Sequence, residues 1–271
     1  MQIADKVFVV TGGGNGIGRE VVLQLVRRGA RVAAVDLNAE ALGETALLAA
    51  APEGRLTTHA MSVADRSAVE ALPDQVLAAH GQVDGILNIA GIIQRFVHVE
   101  DLTIEEIEKV MGVNFWGTLY MDKTFIPLLK ARPEAALLNV SSMGGLVPVP
   151  GQGAYGASKG AVKLLTETLY AELRGTHVAV TVVFPGAIGT NITANSGVEI
   201  PTGAAAAQAG AKPPKMTSAV EAARLIVEAV AEGRPRLLIG SDAKMLDRLS
   251  RVAPTRAITT VADQMKKMLG I

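Results

Sequence analysis

Apolar and β-branched residues come first as a short unbroken run, Val7-Phe8-Val9-Val10-Thr11, and then at helical spacing, Val21, Val22, Leu25 and Val26. A short continuous run bounded by turn residues reads as a strand buried on both faces, and a three-and-four spacing reads as a helix with one apolar side. The alternation repeats down the chain. Strands are predicted at 31–35, 55–60, 84–89, 135–141, 177–184 and 236–239, and helices at 39–50, 66–80, 155–174 and from Thr217/Ser218 to 232. Thr103-Ile104-Glu105-Glu106 has the form of a capping box, which opens a long helix running through Asn114 to near Lys130. Strands separated by helices imply right-handed crossovers and a parallel sheet covered on both faces. The expected fold is α/β: a Rossmann-type doubly wound sheet of about seven strands, in one domain over 1–271.

Two stretches stand outside this rhythm. Residues 191–214 are rich in Gly, Ala and Pro and follow a strand's carboxyl end, where ligands bind in open α/β sheets. A loop of that length is predicted to be a substrate-covering lid, over 187–216. The tail after Ser241 carries Met245, Leu246 and Leu249 at helical spacing, and is predicted to pack on a neighbouring subunit.

Composition narrows the function. The 271 residues carry 26 basic and 26 acidic side chains, so no basic face is implied and nucleic acid is not an expected partner. With no cysteine, disulfides and thiol chemistry are excluded. No secretory leader is read at Met1, and no apolar run is long enough to span a bilayer, so a cytoplasmic protein off the membrane is expected. The histidines show no ligand spacing, and no metal site is expected.

Between the first strand and first helix lies Gly12-Gly13-Gly14-Asn15-Gly16-Ile17-Gly18. Glycine permits a tight turn and a close approach to a ligand, and a helix N-terminus offers free N–H groups to a phosphate. Asp36 ends the second strand, placed to accept the hydroxyls of an adenosine ribose and to repel a 2′-phosphate. Neither Asn15 nor Leu37 supplies a compensating positive charge, so NAD is favoured over NADP. Further on, Tyr155 and Lys159 are four apart and share a helix face. A nearby ammonium favours the phenolate, so the pair reads as an acid/base tuned toward neutral pH, with the tyrosine pKa lowered.

The spacing T-G-x-x-x-G-I-G, with Gly12, Gly16 and Gly18, resembles the short-chain dehydrogenase/reductase family. The resemblance covers nearly the whole chain. Ser142 lies thirteen residues before Tyr155, the family's separation, and Asn114 matches its mid-helix asparagine. Asn88-Ile89-Ala90-Gly91 is similar to N-N-A-G, with Ile89 departing from the second asparagine. Pro185-Gly186 followed by Thr190 resembles P-G-x-x-x-T, which implies that the backbone near Ile188 and the Thr190 hydroxyl meet the nicotinamide amide and the pyrophosphate. Ser62, before Val63, stands where many relatives carry an aspartate at the adenine.

The resemblance implies an NAD-dependent enzyme interconverting a secondary alcohol and a ketone. It implies a catalytic set of Asn114, Ser142, Tyr155 and Lys159: Ser142 orients the substrate oxygen, Tyr155 moves its proton, Lys159 holds the nicotinamide ribose, and Asn114 kinks its helix and holds a water leading to solvent. Ser141 is the serine expected to cap the turn. Cofactor contacts are implied at Gly12, Asn15, Gly16, Ile17, Gly18, Asp36, Leu37, Ser62, Val63, Asn88, Ala90, Gly91, Tyr155, Lys159, Pro185, Gly186, Ile188 and Thr190. Ile93, Gln94, Phe96, Met143, Val149, Gln152 and Ala187 are expected to wall a mostly apolar pocket, which leans toward a hydrophobic substrate. Arg95 or Lys212 swinging in would change that, and His98 is placed at the mouth. The family also implies a homo-oligomer, tetramer or dimer, through the helices carrying Asn114 and Tyr155. An NAD-binding sensor without turnover, or a dehydratase or epimerase on the same scaffold, are the alternatives.

Overall fold

The apolar runs become β1 (Val7–Thr11), β2 (Arg31–Asp36), β3 (Leu56–Ala60), β4 (Gly85–Asn88), β5 (Ala135–Val140), β6 (Val178–Pro185) and β7 (Arg236–Ile239) in a computed structural model that describes residues 1–198 and 216–269. All seven pair in parallel, in the order β3-β2-β1-β4-β5-β6-β7. The order reverses between β1 and β4, which opens a crevice at their carboxyl ends, the usual ligand site of an open α/β sheet.

The helices are α1 (Gly16–Arg27), α2 (Ala39–Ala49), α3 (Arg66–His80), α4 (Ile104–Met111), α5 (Thr118–Lys130), α6 (Gly153–Glu172), α7 (Ala219–Glu232), α8 (Ser241–Val252) and α9 (Pro254–Leu269). Because side chains alternate across a strand, Phe8 and Val10 pack with Val21, Leu25, Ile226 and Val230 of α1 and α7. Val7 and Val9 pack on the other face with Leu72, Phe125 and Leu169 of α3, α5 and α6. β1 and β5 are buried throughout, which is why they read as mostly apolar runs, with Thr11 of β1 and Asn139 of β5 the polar exceptions.

The Thr103 capping box is formed: Thr103 Oγ1 accepts from Glu106 N at 3.2 Å, and Glu106 Oε2 accepts from Thr103 N at 3.0 Å. The helix it opens is not uniform. A π-helical turn, Gly112–Gly117, joins α4 to α5 and has Asn114 inside it. Such turns insert one residue and recur at functional sites.

Within this chain, Leu246 of α8 and Ala257, Val261 and Met265 of α9 pack with Val147, Leu146, Phe96, Met143 and Val149. Part of the tail's apolar surface is thus used against the chain's own loops, while Met245 is left 56% exposed. Among the described residues no helix is long and apolar enough to cross a membrane.

Candidate active site

The glycine turn leaves β1 at the crevice. Gly12 has φ +72° and Gly16 φ +53°, conformations that side chains disfavour. A Cβ on Gly18 would overlap the Gly12 carbonyl oxygen, and one on Gly12 would sit 3.0 Å from Ala90 N. Gly16 faces Thr190, whose Cβ lies 3.4 Å from where a side chain would start. The first segment of the site thus touches two others distant in sequence. Asn15 caps α1, its Oδ1 accepting from Gly16 N at 2.7 Å. The next two amides, Ile17 and Gly18, have no hydrogen-bond partner among the described residues. Two free N–H groups at a helix N-terminus suit a phosphate.

Asp36 stands beside this turn. Its Oδ2 accepts from Gly14 N at 2.9 Å and its Oδ1 from Asn38 N at 3.0 Å. Each carboxylate oxygen keeps acceptor capacity for a further hydroxyl. Arg19, which the sequence reading passed over, donates Nε to Gly14 O at 2.8 Å and pairs with Glu44 at 2.7 Å. Leu37 is 76% exposed. Ser62 Oγ accepts from Ala64 N at 3.2 Å, and Val63 is buried against Gly117.

Ser142, Tyr155, Lys159 and Asn114 come together from β5, α6 and the π turn. A Cβ on Gly144 would lie 3.6 Å from both Ser142 Oγ and a ring carbon of Tyr155, so hydroxyl and phenol face a shared space. A Cβ on Gly91 would lie 3.1 Å from Lys159 Nζ and 3.2 Å from Asn114 Oδ1. Lys159 is 3% exposed and donates to Val140 O at 2.9 Å. Burial brings its amine down to about 8. Tyr155 as a residue is half-buried, but burial of its hydroxyl end pushes the phenol up, partly offset by a hydrogen bond with Ser142. The expected lowering by the lysine does not occur in the protein alone, since the ammonium is held by a backbone carbonyl and burial disfavours both charges.

Several side chains take other parts than expected. Asn114 gives both amide hydrogens away, to Ile92 O and Ser158 Oγ at 2.9 Å each, and its Oδ1 accepts from Ile92 N at 2.9 Å. It lies inside the π-helical turn, and its side chain braces the Gly91 loop. Ser142, not Ser141, caps the turn after β5, accepting from Gly144 N at 3.1 Å. Ser141 donates to Lys159 O at 2.7 Å.

Asn88 is not turned to the crevice. It lies in the core, donating to Asp122 Oδ1 at 2.9 Å and Asn139 Oδ1 at 2.8 Å. Gln94 is no pocket wall either: its Oε1 accepts from Tyr155 N at 2.7 Å, so it caps the helix that carries the tyrosine. Gln152 supports it, donating to Gln94 O at 3.0 Å. Phe96, Met143 and Val149 pack under α8 and α9.

Ile93 is 8% exposed, and its N–H donates to Ser196 Oγ at 3.1 Å. Ala187 offers backbone rather than side chain, donating to Asp242 Oδ2 at 2.7 Å. Ile188 packs on the core beside α7 and pairs with Thr217 in a two-residue sheet, Ile188–Gly189 with Thr217–Ser218. Arg95 is held to Glu106 by bonds of 2.5 and 2.9 Å. His98 lines an open cleft of about 270 Å³ with Val99, Val149, Gly151 and Ile258. The predicted lid, with Lys212, lies mostly outside the described residues.

Sequence and structure comparisons agree with this layout. A family model described as short chain dehydrogenase matches residues 6–200, well over half of the chain. SadH of Mycobacterium tuberculosis, named as an oxidoreductase, is 37% identical over 250 residues, 91% of this chain and 90% of the relative. A short-chain dehydrogenase/reductase of Burkholderia phymatum in complex with NAD superposes with a TM-score of 0.84 at 27% identity, covering 95% of this chain and 97% of that one. One from Burkholderia cenocepacia in complex with NADP superposes with a TM-score of 0.79 at 25% identity, covering 96% and 99%. A parallel sheet with its glycine turn at the switch point, a serine, tyrosine and lysine converging beside it, and this breadth of match lead to one assignment: the chain belongs to the short-chain dehydrogenase/reductase family.

Proposed function

We propose that the chain interconverts a secondary alcohol and a ketone with NAD, on a hydrophobic substrate. The observation that carries the reading is that Ser142 and Tyr155 face each other across Gly144, while Lys159, on the same helix as Tyr155, faces Gly91 next to the glycine turn. The cradle fits a dinucleotide: glycines stand where a Cβ would collide, two helix amides are free, and a carboxylate sits at the second strand's end. Gly12 to Gly18 would take the pyrophosphate, with Thr190 opposite. Asp36 would take the adenosine ribose, Ser62 and Val63 the adenine edge, and Lys159 with Ala90 and Gly91 the nicotinamide ribose.

Bound NAD supplies the hydride acceptor, and the protein supplies position and proton transfer. Ser142 Oγ donates to the substrate oxygen and holds it against Tyr155. The tyrosine, as phenolate, takes the hydroxyl proton, and as phenol returns it in the reverse direction. The Lys159 ammonium stabilises the phenolate once the site is filled, and Asn114 keeps Gly91 and Ser158 in register around both. The family's association through the long helices is part of this reading: Trp116, Leu164 and Tyr170 are 47%, 62% and 48% exposed, an apolar surface suited to a dimer or tetramer contact. The 187–216 segment, as a lid over one domain, completes it.

The deciding experiment is a panel of secondary alcohols offered with NAD and with NADP, followed by absorbance of the reduced nicotinamide. Turnover with NAD supports the reading. A chain that neither turns over nor binds NADH overturns it. Asp36→Ala should shift the NADP-to-NAD ratio of kcat/KM toward NADP by about tenfold or more, because removing a like charge relieves a cost of at least about 1.4 kcal/mol. An unchanged ratio removes Asp36 from ribose recognition. Gly18→Ala should weaken NADH at least about tenfold, since its methyl group displaces the Gly12 carbonyl and with it the anion cradle. Calorimetric titration with NADH reads this directly, and unchanged affinity sinks the cradle.

A further inference from the structure

Asp242 opens α8 and reaches back to the turn after β6. Its Oδ2 accepts from Ala187 N at 2.7 Å, while Ala187 O accepts from Thr217 N at 2.9 Å. Both backbone groups of Ala187 are therefore tied. Gly186, just before it, donates to Ile239 O at 2.8 Å and has its open side filled by the same carboxylate. A Cβ on Gly186 would overlap the carboxylate carbon and both oxygens of Asp242. Gly186 does not need glycine for its backbone, since its φ is an ordinary one. It is the carboxylate that leaves room for nothing larger.

The same helix pair also packs beside the loop that follows Ser142. Leu246, Ala257, Val261 and Met265 pack with Met143, Val149 and Phe96, within a few residues of Ser142 and Gln94. Arg236 of β7 anchors α8 to the sheet by a 2.6 Å bond to Asp247. The C-terminal helix pair thus contacts both the serine loop and the 185–190 turn.

We propose that Asp242 is a positioning residue that holds the Pro185–Ile188 turn in the shape that receives the nicotinamide end of the cofactor, with the C-terminal helix pair as the brace. The inference rests on the reading of a dinucleotide site above. It follows that the nicotinamide half of the ligand depends on Asp242, while the adenosine and pyrophosphate half, held at Gly12 to Gly18 and Asp36, does not.

The test titrates NADH and ADP-ribose, which lacks the nicotinamide, into the whole chain by calorimetry. Asp242→Ala should weaken NADH about tenfold, the scale of one lost hydrogen bond to a charged group, and leave ADP-ribose within about twofold. Asp242→Asn keeps an acceptor for Ala187 N–H and should recover most of the NADH affinity. Gly186→Ala should cost a similar factor in the wild-type background and nothing further beside Asp242→Ala, where its methyl group has room. That non-additivity is a signature of direct contact. Equal weakening of both ligands means that Asp242 serves only the fold, and no weakening of either means that the turn holds itself; each result overturns the proposal alone. A wild-type chain that binds neither ligand overturns the dinucleotide site and this proposal together.

Discussion

Tyr155→Phe should lower turnover of a secondary alcohol by about a thousandfold, within the 10²–10⁴ range of a lost general acid/base, and leave the NADH dissociation constant nearly unchanged. The substitution removes one oxygen and keeps the ring, so the packing that α6 provides around Gly144 and Gln94 is retained. What is lost is the only phenol beside Ser142 and Lys159. A pH series adds a second readout. Burial holds the Tyr155 proton more tightly than an ordinary phenol does, so the base form is scarce at pH 7 in the protein alone. Alcohol oxidation, which needs that base form, should therefore rise with pH from 7 toward 10. Ketone reduction, which needs the protonated form, should not share that rise. The mutant should lose the rise. Turnover within tenfold of wild type in Tyr155→Phe would remove the tyrosine from the proton step.

The sheet and its helices were legible because burial leaves a strong pattern. β1 and β5 are covered on both faces and are apolar but for Thr11 and Asn139, while α3 carries its capping aspartate and terminal glycine in plain view. The glycine turn was legible for a related reason, since Gly18 admits no other residue. Direction of side chains was not. Asn88 ends β4 and Gln94 lies in the loop that follows it, both beside the crevice, and a sequence places the residue but not the rotamer. Asn88 turns inward because a buried carboxylate waits there, and Gln94 because the first turn of α6 has an unpaired amide at Tyr155. The C-terminal helices were legible as helices, but which surface they would cover depended on Val147 and Met143, a hundred residues earlier. Asp242 and Arg19 went unnoticed because a single charged residue near a helix start reads as a solvated one. The π turn at Asn114 leaves no periodic trace over six residues.

Asp122 went unread for the same reason, and the largest effect on stability is expected from it. It sits on α5, fully buried, where helical spacing alone would accept a solvent-facing acid. Its Oδ1 and Oδ2 accept from Asn88 of β4 and Asn139 of β5 at 2.9 and 2.8 Å, and Asn139 donates onward to Thr166 of α6 at 3.1 Å. One carboxyl thus joins α5, β4, β5 and α6, beside which Asn114, Gly91 and Ser142 lie and on the last of which Tyr155 stands. Asp122→Ala leaves one buried N–H of each asparagine amide without an acceptor, at about 1–3 kcal/mol each, so a loss of about 2–6 kcal/mol is expected. Its pH dependence has a definite sign. Burial raises the carboxyl from 3.8 to about 8, so the folded state keeps a proton that the unfolded chain gives up. Stability from this group is complete below pH 3.8 and is lost as pH rises to about 8. Two other buried groups act in separate windows. His80, pushed down by burial from 6.5, costs stability as pH falls below that value, and Lys159, brought down to about 8, adds stability as pH rises from there toward 10.5. Between pH 6.5 and 8 Asp122 is left to dominate, and at about 1.4 kcal/mol per unit the wild type should lose about 2 kcal/mol across that window. Urea midpoints at pH 6.5 and 8 measure the slope. Asp122→Asn, which cannot ionise, should flatten it whatever it does to the midpoint itself. A slope that survives Asp122→Asn would mean that the titrating group lies elsewhere, and that this carboxyl is ionised in the folded chain, held by its two amide donors.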